Sequence, residues 1–398
     1  MKLRYKVLSA VLVFGAATVL GLALTISHNS PCAAAQPPPA GTPLMKAIVY
    51  RCYGSPDVLR LEDIAQPLPA DKQLLVKVHA ASVNPLDWHY MRGEPYVMRA
   101  GVGIGVPDSI HMGVDFSGTV VSVGKDVTRF KPGDEVFGGR TGAFGEYVSV
   151  DETGSVAFKP TNITFEQAAA VPIAAVTALQ ALRDKGKVQA GQTVLINGAS
   201  GGVGTFAVQI AKSYGAIVTG VCSTRNLAMV RSLGADRVID YTQEDFTKGS
   251  QRYDLILDVV GTHSLSDYRR VLNPHGSLVI AGSLDKGRWF GALTDITAAS
   301  LYSHFVSTKM LVLFADLNPQ DLDVLRDLMQ TGKITPVIDR QYTLNDVPGA
   351  IRYLEQGHAR GKVVVKVAGA SVPDGAAVSA GAAPNVRNAP ENPTGSSH

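Results

Sequence analysis

Between residues 45 and 160 the apolar positions come in short runs. Ala47-Ile48-Val49-Tyr50 and Leu74-Leu75-Val76-Lys77-Val78 are two of them, parted by turn-formers such as Tyr53-Gly54-Ser55-Pro56-Asp57. Runs of this length bounded by Gly, Pro and Asp predict strands. At Thr164 the period lengthens. Thr164 and Gln167 form a capping box opening an Ala-rich helix, which Pro172 should interrupt and whose second piece ends before Gly186. Strands and helices then alternate, with strands over 193–196 and 217–222, within 253–260 and over 277–281, and helices over 202–214, 226–233 and 264–272. This rhythm predicts a parallel, doubly wound sheet. Asn318-Pro319 starts a further helix with Leu322, Leu325, Leu328 and Met329 on one face, and Val363-Val364-Val365 closes the pattern as a strand.

The two ends break the pattern. Val7 to Ile26 is a run of twenty uncharged, mostly apolar residues behind Lys2, Arg4 and Lys6. A helix of that length rises about 30 Å, the depth of a hydrocarbon core. Two readings stand: a retained single-pass membrane anchor, favoured by the length of the run, and a secretory signal cleaved near Ala33-Ala34-Ala35. Gln36-Pro37-Pro38-Pro39-Ala40-Gly41 reads as an extended spacer, and residues 369–398, with no aromatic, as a disordered tail. The expected organisation is 1–44 anchor or signal with linker, 45–168 the first part of a β-rich domain, 169–310 an α/β domain, 311–368 a return segment of the first domain, and 369–398 the tail.

Composition removes several classes. Lys and Arg number 37 against 34 Asp and Glu, a net +3 that leaves no electrostatic footprint for nucleic acid. Three cysteines cannot build a disulfide framework or a four-thiolate zinc lobe, and Cys52 and Cys222 read as small buried hydrophobes.

The sharpest local signal runs from Gly191 to Lys212, where a buried strand ends in Gly198-Ala199-Ser200-Gly201-Gly202-Val203-Gly204 and opens a helix. Glycines there let backbone approach a pyrophosphate, and the helix start supplies unpaired N–H groups and partial positive charge. Gly198-x-Ser200-x-Gly202 also fits a nucleophile elbow, but no His-Gly-Gly segment precedes it and Gly204 would be superfluous. Dinucleotide binding is the better reading. The stretch that would hold an NAD-selecting acid is Ile217-Val218-Thr219-Gly220-Val221-Cys222-Ser223-Thr224-Arg225-Asn226, with two hydroxyls and a guanidinium but no carboxylate. That favours the 2′-phosphate of NADPH, unless Arg225 only begins a surface helix.

On these residues, together with Asn84-Pro85-Leu86-Asp87 and Gly113-Val114-Asp115-Phe116-Ser117-Gly118-Thr119-Val120, the sequence resembles the zinc-free quinone oxidoreductase (zeta-crystallin-like) branch of the medium-chain dehydrogenase/reductase superfamily over residues 45–368. Residues 222–241 and Gly357-His358-Ala359-Arg360-Gly361-Lys362 are most similar to chloroplast-envelope quinone oxidoreductase homologues and alkenal reductases. The resemblance implies an α/β protein, a GroES-like β-rich catalytic domain plus a Rossmann doubly wound parallel sheet. It implies NADPH-dependent hydride transfer to quinones or to the C=C bond of α,β-unsaturated carbonyls, in a chain that pairs as a homodimer. Ser223, Arg225 and Tyr241 then fall at the 2′-phosphate, and Thr177 and Lys362 match further cofactor contacts. Zinc-dependent cousins carry Cys near Asn84 and Gly-His-Glu near Gly113-Val114-Asp115, so no metal site is expected.

Asn84 is the expected donor to the substrate oxygen, Asp87 a brace for its loop and Tyr90 a proton donor alongside bulk water, against a reading of all three as loop structure. Trp88, Tyr96 and Phe144 are expected as an apolar wall, and Gly101–Gly105 as a flexible loop. A non-catalytic nucleotide-binding scaffold and an alcohol dehydrogenase are the alternatives. The cationic start would carry the domain across the membrane, away from cytosolic NADPH. A membrane-tethered reductase, its side left open, would suit lipophilic substrates.

Overall fold

The computed structural model describes residues 18–282, 287–289 and 308–367. The apolar runs of the first half become β1 (Leu44–Val49) and β2 (Arg60–Ala65), an antiparallel ribbon, and β3 (Gln73–Val83), β4 (Asp115–Val123), β5 (Glu135–Gly139), β6 (Tyr147–Asp151) and β7 (Val156–Phe158). The helix α1 (Pro85–Arg92) leaves the end of β3. The Thr164–Gln167 capping box opens a helix over Phe165–Ala169, and α2 (Pro172–Gln180) restarts at the proline that stops it.

The second half supplies β8 (Thr193–Asn197), α3 (Gly202–Ser213), β9 (Ile217–Cys222), β10 (Arg237–Asp240), β11 (Tyr253–Asp258), β12 (Leu272–Ile280) and β13 (Lys309–Val312). These six strands are parallel, in the order β10-β9-β8-β11-β12-β13. The two strands following β8 in sequence (β9) and in the second wind (β11) flank it on opposite sides. That is the switch point at which such sheets open a ligand crevice. β10 and β13, four residues each, carry too little alternation to stand out in the sequence.

The chain then returns to the first half. β14 (Ile338–Thr343) and β15 (Lys362–Lys366) extend its sheet in the order β14-β15-β3-β4-β5-β7, with β6 also beside β3. In the antiparallel β15–β3 pair Val363 faces Val83. That register brings Lys362 and Asn84 off the sheet side by side.

The N-terminal expectation needs correction. Residues 1–17, and with them the apolar run as far as residue 17, lie outside the described residues, as does the tail over 369–398. What is described is a helix over 18–27, and no described helix is long and apolar enough to cross a membrane. The anchor, the membrane partner and the membrane-associated location are therefore withdrawn. The described end of the run turns onto the protein: Arg99 donates to the carbonyls of Ile26 and His28, both at 3.1 Å. Cys52, read as a plain small hydrophobe, is disulfide-bonded to Cys32.

Candidate functional site

The glycine turn has the form its spacing predicts. Gly198 takes φ +87°, and a Cβ there would press on the side chains of Val259 and Val260. At Gly204 a Cβ would overlap the Gly198 carbonyl oxygen and Ala199 Cα, so α3 packs on β8 only because this residue lacks one. Ala199, in place of the usual first glycine, is buried against Gly220 of β9. A Cβ at Gly201 would meet only the Gly198 carbonyl oxygen, at an ordinary contact of 3.5 Å. The amides of Gly202, Val203 and Gly204 start α3 where no preceding turn supplies carbonyls. Backbone donors at the positive end of a helix beside unfilled space can hold a pyrophosphate.

At the end of β9, Asn226 organises the hydroxyls. Its Nδ2 donates to Ser200 Oγ (3.1 Å) and Ser223 Oγ (3.2 Å), while its Oδ1 is buried without a partner among the described residues. With both oxygens accepting from the amide, both O–H hydrogens are left to donate elsewhere. Arg225 lies alongside, anchored by Nη2 to His358 O at 2.5 Å, and Tyr241 is exposed. Sequence reasoning missed Asn226, because an Asn next to an Arg at a helix start reads as an ordinary cap.

The loop carrying His358 continues into Gly361, which bridges Gly201 and donates its N–H to Ser200 O at 2.9 Å. The return segment is thereby stitched over the glycine turn. Lys362 follows, its Cδ 3.1 Å from where a Gly202 Cβ would sit. Its buried ammonium donates to Asn84 Oδ1 at 2.5 Å and Val83 O at 3.3 Å, and stands 3.5 Å from Asp115 Oδ2. Asp115 Oδ2 accepts from Asn84 Nδ2 and Ser82 Oγ, both at 2.9 Å, and Oδ1 accepts from the Ile173 N–H at 3.1 Å, at the start of α2. Asp87 completes the group, accepting from the Asn84 N–H at 2.7 Å through Oδ2 and leaving Oδ1 buried and unpartnered among the described residues.

Burial sets the electrostatics. Loss of water pushes the Asp87 carboxyl up to about 7, against the pull of the Asn84 N–H. It raises Asp115, opposed by Lys362, and lowers the Lys362 ammonium, opposed by Asp115 and Asp87. Asn84, expected as a free donor, has its carbonyl taken by Lys362 and its amide nitrogen by Asp115 and, at 3.4 Å, Ser82 O. Sequence reasoning kept Asp115 only as a motif position and missed Ser82. Their distance from Lys362 along the chain hides the cluster.

The remaining expected residues separate. Thr177 is buried in α2, its hydroxyl donating to Ile173 O at 2.7 Å. Tyr90 is half-buried on α1 and Trp88 packs on His89. Tyr96 meets Trp289 edge-on at 5.2 Å. Phe144 is no wall: it is fully buried in the β-rich core against Gly113. The Gly101–Gly105 stretch begins inside a short helix, Arg99–Val102, and leaves it at Gly103. Among the described residues no group of three or more His, Cys, Asp or Glu could hold a metal ion.

Residues 70–160 match the alcohol dehydrogenase GroES-like domain and residues 233–365 the zinc-binding dehydrogenase family. A mitochondrial NAD(P)H oxidoreductase of Mus musculus is 36% identical over 375 residues, covering 82% of this chain and 90% of the relative. The chain belongs to the medium-chain dehydrogenase/reductase superfamily. Another member, the chloroplastic NADPH-dependent alkenal/one oxidoreductase of Arabidopsis thaliana, is 36% identical over 336 residues (81% of this chain, 79% of the relative). The solved quinone oxidoreductase of Coxiella burnetii, 33% identical, superposes with a TM-score of 0.71 over 82% of this chain and 100% of its own. This medium-chain dehydrogenase/reductase is thus an NAD(P)H-linked oxidoreductase, built from a GroES-like β domain and a parallel Rossmann sheet.

Proposed function

We propose that this oxidoreductase uses NADPH in preference to NADH and reduces the C=C bond of α,β-unsaturated carbonyls, or quinones, as the names of its relatives describe for them. The observation that carries the coenzyme reading is the Asn226 amide donating to Ser200 and Ser223, which turns both hydroxyls into donors beside Arg225. Donors and a guanidinium suit a phosphate, where a carboxylate would repel it. The amides of Gly202 to Gly204 would hold the diphosphate, and Ser223, Arg225 and Tyr241 the 2′-phosphate. When bound, NADPH supplies the hydride.

The polar array has the second task, stabilising negative charge that develops on the substrate oxygen. We assign it to the Lys362 ammonium, with Asn84 as the positioning residue that orients it and Asp87 as the brace that fixes Asn84. To Tyr90, one turn along α1 from Asp87, we assign the return of a proton, in competition with solvent.

Arg225→Glu should raise KM for NADPH at least about tenfold while sparing NADH. Asn226→Asp should act the same way, because a carboxylate would draw both serine hydrogens inward. Equal effects on both coenzymes would overturn the 2′-phosphate assignment. Failure of every enone and quinone in a panel to drive NADPH oxidation would overturn the substrate class.

A further inference from the structure

Residues 26–35 lie ahead of both family matches, the earlier of which begins at residue 70, yet they are tied to the catalytic half in three ways. Cys32 is disulfide-bonded to Cys52. The Ser30 N–H donates to Gly105 O at 3.0 Å and the Ala33 N–H to Arg51 O at 3.4 Å. The third tie is Arg99, only 1% exposed, with Tyr53 and Tyr96 rings 4.3 and 4.7 Å from Cζ. Its Nη1 reaches Ile26 O and His28 O, its Nε Gly93 O at 2.7 Å and its Nη2 Arg92 O at 3.1 Å. A buried guanidinium is tolerable only while its hydrogens are taken. Removing the strap would leave Nη1 without the two carbonyls it uses.

Arg99 belongs to the loop over residues 93–105, which continues from α1 and hence from Asn84. That loop also reaches the other half of the molecule. The Tyr96 N–H donates to Arg288 O at 2.6 Å, the Val97 N–H to Trp289 O at 3.3 Å, and Glu94 pairs with Arg288 at 3.4 Å. Tyr53, next to Cys52, donates to Gly103 O at 2.7 Å. Strap, disulfide and loop therefore form one unit that spans the two halves and continues through α1 to Asn84.

We propose that Cys32–Cys52 is a functional disulfide site and Arg99 a positioning residue. Together they hold the 93–105 loop against the substrate, and thiol–disulfide exchange at this pair weakens substrate binding while leaving the coenzyme unaffected. In that exchange a dithiol gives two electrons and two protons. The Cys32–Cys52 bond breaks, both sulfurs become thiols and the dithiol closes to its own disulfide. Cys32 is exposed and open to attack. The third cysteine, Cys222, is buried, and burial pushes its thiol up to about 11, so it does not compete near neutrality.

The substrate arm rests on the reductase reading, so the test includes readouts that do not. Alkylation of air-oxidised full-length chain in denaturant should label Cys222 alone, and all three cysteines after dithiothreitol. Cys32→Ser, at an exposed position, and Arg99→Lys should each speed amide hydrogen exchange at Tyr96, Val97 and Gly103. Each should raise KM for the enone or quinone about threefold or more, with the NADPH Kd unchanged. The double variant should be no worse than the poorer single one, as for parts of one unit. Three labelled cysteines without reductant, or unchanged exchange at the loop in Cys32→Ser, would overturn the proposal even if no substrate had been found. A KM effect matched by an equal rise in NADPH Kd would overturn it too.

Discussion

The glycine turn, proposed as the coenzyme cradle, and the polar array touch at Gly202 and Lys362, yet they are built on opposite principles. The cradle is local: seven consecutive residues from Gly198 to Gly204, and four more from Ser223 to Asn226, present backbone amides and hydroxyls at the ends of adjacent parallel strands. The array is assembled from Ser82, Asn84, Asp87, Asp115 and Lys362, which meet only because β15 returns to pair with β3. A site made of backbone tolerates most side-chain changes but no added Cβ at its contact points. A site made of buried charges tolerates space and punishes the loss of any partner.

Substitutions can break this contrast in order of severity. Gly204→Val should do the most damage, because its Cβ would overlap the backbone of Gly198 and Ala199, which cannot swing aside. Calorimetry should show NADPH affinity lost about a hundredfold or more, and denaturant unfolding a stability loss of about 3 kcal/mol. Lys362→Met should lower kcat about a hundredfold with a much smaller change in NADPH Kd, by removing the cation from the array. Adding Asp115→Asn should recover stability, since the carboxylate left unpaired is then neutral, but not kcat. Recovery of both would mean that the ammonium serves the fold alone.

The smallest effect sharpens the comparison through pH. Burial raises Asp87 from its ordinary 3.8 to about 7. The stability linked to its neutral form is therefore complete below about pH 4 and is lost as pH rises through about 7. Asp87→Asn keeps an acceptor for the Asn84 N–H and removes the titration. Urea midpoints should fall by an amount worth at least about 1 kcal/mol between pH 5 and 8 in the parent chain, and by less in the variant. Parallel pH profiles would show that Asp87 stays ionised throughout.

The contrast also explains what could be read in advance. The switch from short runs to strand–helix alternation, the capping box at Thr164 and the break at Pro172 all reappear in the fold. The glycine turn does too, because each glycine answers a steric demand from neighbours close in sequence. Asn84 and Lys362 could be named from motifs, but not that one binds the other. Nor could the burial of Phe144 in the core be seen. Twenty residues separate Cys32 from Cys52, and nothing in that interval signals that they meet. The apolar run before them suggested a membrane because hydropathy alone does not fix the length of a helix, and the described helix over 18–27 is too short to cross one.

By itself the sequence determined the strand–helix alternation of the α/β half, the short strands of the β-rich half with a closing strand over 363–365, and a glycine turn opening a helix, since all of these follow from periodicity and local sterics. Only the tertiary structure decided that Lys362 is held by an asparagine and an aspartate from the first half, and that a disulfide and a buried arginine fasten an N-terminal strap to that half. The physical reason is that buried charges and disulfides are partnered by distance in space, and the strand register that sets those distances is written in no single segment of the chain.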